Sequence, residues 1–205
     1  LNLMVDGIRL PAAFSYNTYS TGRGDYFDID GMGKVEVLRG ASSAQWGSDG
    51  VSGTVLFFTL SPEQFLKDGK ASFSSAKLGI HSVNEGIKTS VLHAQQLGES
   101  KFLAAVSIGQ AHETKNKGSV DTVGSTRTKP NPLDTDDYYL LGKIETDIGN
   151  GKRLNLTAEG SQRNISSNNL SAYNGAYADT GEEKVERKRV SGHYQIHGDA
   201  SSNGE

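Results

Sequence analysis

The sequence predicts an all-β-dominated chain, in which a small α/β element over roughly the first third precedes about six antiparallel strands. Three observations predict it. Beyond residue 70, apolar and polar residues alternate with period two, the pattern of strands whose successive side chains point to opposite faces. From the second of these runs onward, the connections between them alternate between short and long. Upstream, two β-type runs at 35–38 and 55–59 enclose a stretch of small residues punctuated by Gly40, Gly47, Gly50 and Gly53.

Composition excludes several classes. The chain has 205 residues, 22% charged and 35% hydrophobic, with a net charge of -3. That balance leaves no electrostatic footprint for nucleic acid. The absence of cysteine excludes a disulfide scaffold. No run approaches the roughly 20 apolar residues of a transmembrane helix, and the mean hydropathy is -0.50. Hydropathy alone would class such a chain as soluble. A transmembrane barrel escapes that test, because only alternate residues face lipid.

The elements follow in order. Val5-Asp6-Gly7-Ile8-Arg9 reads as strand and turn. A long polar and aromatic segment covers 10–28. Val35 to Leu38 form a short strand ending at Arg39-Gly40, and Val55 to Thr59 form an apolar strand buried on both faces. Candidate strands then lie near 70–81, 85–96, 101–112, 138–148, 152–163 and 186–198. The fourth and fifth are the clearest: Tyr138, Leu140, Gly142 and Ile144 oppose Tyr139, Leu141, Lys143 and Glu145, and Leu154, Leu156 and Ala158 oppose Arg153, Asn155 and Thr157. Gly149-Asn150-Gly151 tolerates positive φ and joins them as a hairpin. Alternation alone fits a soluble sandwich as well as a barrel. The connections favour the barrel: 97–100 and 149–151 are short, whereas 113–135 and 164–185 are long and polar, and bacterial barrels have short periplasmic turns and long outer loops.

The N-terminal motifs carry a resemblance. Val5-Asp6-Gly7, Val35 to Gly40, Ser43, Gly47, Gly53 and Thr59 resemble the C-terminal half of the plug domain of TonB-dependent outer-membrane receptors. Ala41, Trp46 and Ser52 stand where that family usually has proline, tyrosine and glycine. The resemblance implies a transmembrane antiparallel β-barrel, here partial with about six strands, preceded by part of an α/β plug domain. Residues 1–66 are expected to be plug, and 67–205 the first part of a barrel that in the family has about 22 strands. The opening Leu1 to Val5 reads as strand interior and the closing Ser201 to Glu205 as a turn. The chain is therefore expected to be a piece lacking the start of the plug and most of the barrel.

Looser matches point to a branch. Arg23 to Asp30 (RGDYFDID), the run Thr59, Pro62, Leu66 with Gln64 where aspartate is usual, and residues 131–149 (NPLDTDDYYLLGKIETDIG) are similar to the heme and hemoglobin receptors of the family. The resemblance implies import of heme or a hemoprotein across the outer membrane of a Gram-negative bacterium, driven by the TonB-ExbB-ExbD complex. A ferric siderophore is the alternative cargo, and a non-transporting binding or adhesion barrel is the alternative class. Heme or ferric siderophore would be transported ligand, not catalytic cofactor. Partners would be that complex, the extracellular ligand and outer-membrane lipid.

Heme iron takes an axial histidine or tyrosinate, and the 10–28 segment has no histidine. Tyr16, Tyr19, Arg23 and Tyr26 are its candidate ligand contacts, with His81 and His112 at the outer ends of two strands. Glu36 and Arg39 resemble plug residues that pair with charges on the barrel wall. No catalytic residue and no resident metal is expected. There is no phosphate-cradling loop, nucleophile elbow or zinc pair. His193 and His197 stand about 13 Å apart along a strand. Arg23-Gly24-Asp25 is a chance tripeptide, and Asp25 to Glu36 lacks the glycine of a calcium loop. An enzyme is not expected.

Overall fold

The computed structural model describes residues 2–10, 15–16, 19–20, 28–40, 53–172 and 179–196. Most of the glycine-punctuated stretch at 41–52, with Trp46, lies outside them.

The N-terminal sheet has four strands, β1 (Asn2–Val5), β2 (Ile8–Arg9), β5 (Met32–Leu38) and β6 (Thr54–Thr59), in the order β2-β1-β6-β5. β6 is central, parallel to β1 and antiparallel to β5, which is why its sequence is a continuous apolar run. Asp6 and Gly7 both take positive φ, 47° and 79°, the two-residue turn that favours Asp-Gly. A short hairpin, β3 (Ser15–Tyr16) with β4 (Tyr19–Ser20), stands apart from this sheet. Among the described residues this part contains no α-helix, only 3-10 turns at Ile29–Gly31 and Pro62–Gln64. The second turn is fixed by Pro62 at its start and a reciprocal capping box between Ser61 and Gln64.

Six antiparallel strands follow in sequence order: β7 (Ser72–His81), β8 (Gly86–Leu97), β9 (Ser100–His112), β10 (Leu133–Gly149), β11 (Lys152–Asn169) and β12 (Asp179–Ile196). All the predicted strands are present, and Gly149, Asn150 and Gly151 turn with positive φ as expected. The long connection predicted over 164–185 is mostly strand: β11 continues to Asn169 paired with Asp179 at the start of β12. Here both faces are polar, so the ladder extends while the period-two signal disappears. The connection between β7 and β8 spans only 82–85, so the long connections of the sheet are those after β9 and β11.

The side chains of this sheet are sorted inside out. Leu141 is 0% exposed and its neighbour Leu140 is 56% exposed. The face bearing Leu141 also carries Lys88, Ser107, Tyr139, Glu159 and Arg189, and the N-terminal part packs on it. The opposite face is apolar and bare, with Leu78, Ile80, Val91, Val106, Ile108, Leu140, Leu156 and Val190 all exposed. Ala76, Val91, Val106 and Leu140 stand opposite one another across β7 to β10. Ile80 and Ile87, however, share a row with Gln110, Asp136, Asn164 and Lys184. The apolar band therefore crosses the hydrogen-bond rows obliquely, as it must where strands tilt by roughly 35–45° to the membrane normal. A soluble sandwich would bury this face. The arrangement is that of an open piece of barrel wall.

A small apolar cluster joins the two parts. Leu60 and Phe65 from the N-terminal part pack on Leu92, Leu103, Ala105, Tyr139 and Leu141, and Phe65 stacks on Phe73 with ring centroids 5.1 Å apart. Gly31 lies against the Tyr139 ring so closely that a Cβ would sit 2.2 Å from it.

Placing a charge on the bare face tests the assignment. Leu140→Arg in the intact receptor should cost about 2–4 kcal/mol of stability in lipid vesicles, the cost of arginine near the bilayer midplane. Reversible denaturant unfolding measures it; a cost under about 0.5 kcal/mol, ordinary for an exposed site in water, would place Leu140 outside the hydrocarbon.

Candidate functional site

The chemistry of this chain is concentrated where the N-terminal part meets the wall. Three groups of carboxylates from the former meet cations from the latter.

The first group follows the 10–28 segment directly. Asp28 caps the 3-10 turn, accepting the Asp30 backbone N–H at 2.8 Å. Its carboxylate also accepts from Lys88 Nζ at 2.7 Å and Ser107 Oγ at 2.5 Å. Asp30 accepts from Lys77 Nζ at 2.7 Å and Ser90 Oγ at 2.9 Å, with Lys88 at 3.0 Å. Burial raises the Asp30 carboxyl, but the bonds from Lys77, Lys88 and Ser90 more than offset this and hold it at about 2. Two acids two residues apart reach three wall strands because the tight turn directs both side chains toward β7, β8 and β9.

The second group is the most deeply buried. Asp6, on the β1–β2 turn, accepts from the Thr59 backbone N–H at 2.9 Å and Thr59 Oγ1 at 2.6 Å. It also accepts from Arg189 on β12 at 2.6 Å. Arg189 donates through Nε to Glu159 on β11 at 2.9 Å, and Tyr139 Oη donates to the other Glu159 oxygen at 3.2 Å. The Arg189 and Glu159 side chains are only 5% and 1% exposed. Burial pushes the Asp6 carboxyl up, and the bonds from Thr59 and Arg189 carry it below the ordinary value. Arg187 approaches the same Glu159 oxygen at 3.0 Å, yet its NH1 and NH2 are buried without a hydrogen-bond partner among the described residues. The contact is Coulombic and lacks hydrogen-bond alignment.

The third group sits on the turn at Pro62–Gln64. Glu63 pairs with Lys101 at 3.1 Å and Arg153 at 3.2 Å, and Ser61 Oγ donates to Glu145 at 2.9 Å.

Of the residues singled out from sequence, those that are described are not part of these three groups. Tyr16 and Tyr19 pair directly through their backbones in the β3–β4 hairpin; Arg23 and Tyr26 lie outside the described residues. His81 and His112 end β7 and β9 but leave the sheet on opposite faces. His81 shares the side of Lys77, whereas His112 shares the bare side with Ile108, its Nδ1 2.6 Å from Asp134. Those two histidines therefore do not converge on one ligand. Glu36 pairs with Lys34 of its own strand at 2.5 Å, and Arg39 is exposed. Neither meets the described strands of the wall. Sequence reasoning missed Asp6, Asp28, Asp30 and Glu63. Asp6 was visible as part of a turn motif, but nothing local signals a partner 183 residues away.

Residues 1–54 match the TonB-dependent receptor plug domain. Over these residues the chain carries plug-domain sequence. Over 90% of its length it is also 25% identical to the hemoglobin and hemoglobin-haptoglobin-binding protein B of Haemophilus influenzae. It is equally similar, over the same share, to a probable hemoglobin and hemoglobin-haptoglobin-binding protein 3 of that species. It spans only about a fifth of either relative, 19% and 18%. The groups at Asp6 and at Asp28 and Asp30 thus join the matched plug residues to the six-stranded wall, and Glu63 does so from the segment just after the match.

Two outcomes are expected. Arg189→Ala takes from Asp6 its hydrogen-bonded cation and leaves Glu159 with Arg187 alone, so the plug should lose about 3–5 kcal/mol, the cost of breaking a buried pair. Calorimetry of the intact receptor reads this, and a plug transition unmoved by the change would remove Arg189 from the clamp. The Asp30 contribution should follow its depressed carboxyl: full above the ordinary value of 3.8 and lost as pH falls through about 2. The stability difference between wild type and Asp30→Asn should therefore vanish between about pH 4 and pH 2. A difference that persists below pH 2 would mean the carboxylate charge is not what holds.

Proposed function

We propose that this chain is the plug and first wall strands of an outer-membrane importer that takes up heme or iron from a hemoglobin-type hemoprotein, with TonB-ExbB-ExbD displacing the plug. The observation that carries the reading is the seating of the plug: its acids close onto the charged face of a sheet whose opposite face is apolar and bare. A seal made of several polar contacts around one small apolar cluster is strong against thermal opening and yields contact by contact to a directed pull. The cargo is inferred from the relatives, whose names state hemoglobin and hemoglobin-haptoglobin binding. Tyr16, Tyr19, Arg23 and Tyr26 are assigned to ligand contact, with tyrosinate as the candidate axial donor to heme iron.

The test is titration of the intact receptor in detergent with hemin and with hemoglobin, read by Soret absorbance and pull-down. Saturable binding to either is expected, and Tyr16→Ala with Tyr19→Ala should weaken it at least about tenfold, a loss of roughly 1.4 kcal/mol, without changing the melting temperature. A folded receptor that binds neither and instead binds a ferric siderophore would replace the cargo; unchanged affinity in the double variant would clear the tyrosines.

A further inference from the structure

The ion pairs of the interface share one polarity. Where both partners are described residues, the acid belongs to the plug and the base to the wall: Asp6 with Arg189, Asp28 and Asp30 with Lys77 and Lys88, Glu63 with Lys101 and Arg153. The cations are also grouped. Lys77 and Lys88 converge on one carboxylate, and Lys101 and Arg153 converge on one oxygen of another. Near Arg189, Arg187 adds guanidinium nitrogens that are buried and not hydrogen-bonded.

Removing the plug therefore leaves Lys77 with Lys88, and Lys101 with Arg153, as cation pairs on a face whose own acids include Glu145 and Glu159. Lys88 and Lys101 are partly buried under the plug, so their charges lose these partners as it leaves, whereas Arg189 keeps Glu159. An unpaired charge there is costly, and a passing anion would lower that cost. The seam is already open beside Lys77, where a cavity of about 190 Å³ is floored by Phe65, Phe73 and Leu92. An apolar surface beside a cation suits a ligand with a flat apolar body and a carboxylate edge.

We propose that the wall cations that clamp the plug also form the conducting track for the cargo, and that the track selects a polycarboxylate with an apolar body, its carboxylates replacing those of Asp30 and Glu63 as the plug withdraws. This rests on the import reading above and adds the residues that pass the permeant and the charge by which they select it. Lys77, Lys88, Lys101 and Arg153 then have a second role in transit, beyond holding the plug.

The two roles separate experimentally. Uptake of hemin, a dicarboxylate, is compared with uptake of its dimethyl ester, which has the same body and no such charge. Both are followed in heme-auxotrophic cells carrying the full-length receptor. Lys101→Gln with Arg153→Gln should lower the maximal rate of hemin uptake about tenfold, the lower end of what focused charge contributes to local ligand concentration. It should leave uptake of the ester and hemin binding at the cell surface unchanged. Glu63→Gln frees the same clamp but keeps the wall cations, so hemin uptake should hold or rise. Lys101→Arg should behave as wild type, which guards against a folding defect. A parallel fall of hemin and ester, or a loss in Glu63→Gln equal to that in the double variant, would reduce these cations to a clamp and overturn the proposal. No hemin uptake by the wild type would instead remove the import reading, and this proposal with it.

Discussion

The buried contact between Arg189, Asp6 and Glu159 is the constraint around which the rest is arranged. Arg189 bonds a plug turn and a neighbouring wall strand at once, and it does so under near-complete burial. Charges removed from water in this way hold only if each finds a partner of opposite sign with good geometry. The Asp6-Gly7 turn, the position of Thr59 at the end of β6 and the register of β11 against β12 all serve that geometry. The register pairs Glu159 with Arg189 directly, so a one-residue slip of β12 would send Arg189 to the bare face, away from Glu159.

The inside-out sorting of the wall follows from what lies on each side. In water an apolar face is buried and a charged face exposed. Here the charged face is covered by a plug that brings its own charges, and the apolar face has no protein partner among the described residues. Oblique travel of the apolar band across the strands gives the same answer by a separate route, since tilt is required only of strands that close a barrel and span a layer of fixed thickness. β10, β11 and β12 continue past the apolar band with polar residues on both faces, and at 17, 18 and 18 residues they exceed the roughly 9–11 residues a membrane span needs.

The seal between plug and wall is mixed in kind. Leu60, Phe65, Tyr139 and Leu141 form a compact apolar centre, and Gly31 lets the backbone rest on the Tyr139 ring. The charged contacts surround it. An entirely apolar seal of this area would resist sliding as a block, whereas ion pairs and hydroxyl bonds can be exchanged one at a time for water or for a charged ligand.

Much of the fold was legible in order along the chain. Alternation located the wall strands, Gly149-Asn150-Gly151 located a hairpin, and the small-residue motifs located the plug, because each is a property of neighbouring residues. Period two could not say which face is wet, and it vanished where both faces of β11 and β12 became polar. The charged contacts were not legible. Glu36 and Arg39 were singled out by motif, while Asp6, Asp28, Asp30 and Glu63 make the contacts, with partners about 38 to 183 residues away in sequence. Local sequence determined which segments extend and which turn, through backbone freedom and side-chain periodicity. Only the tertiary structure decided the inner face, the polarity of the plug clamp and the divergence of His81 from His112, because these depend on which distant strands are brought side by side.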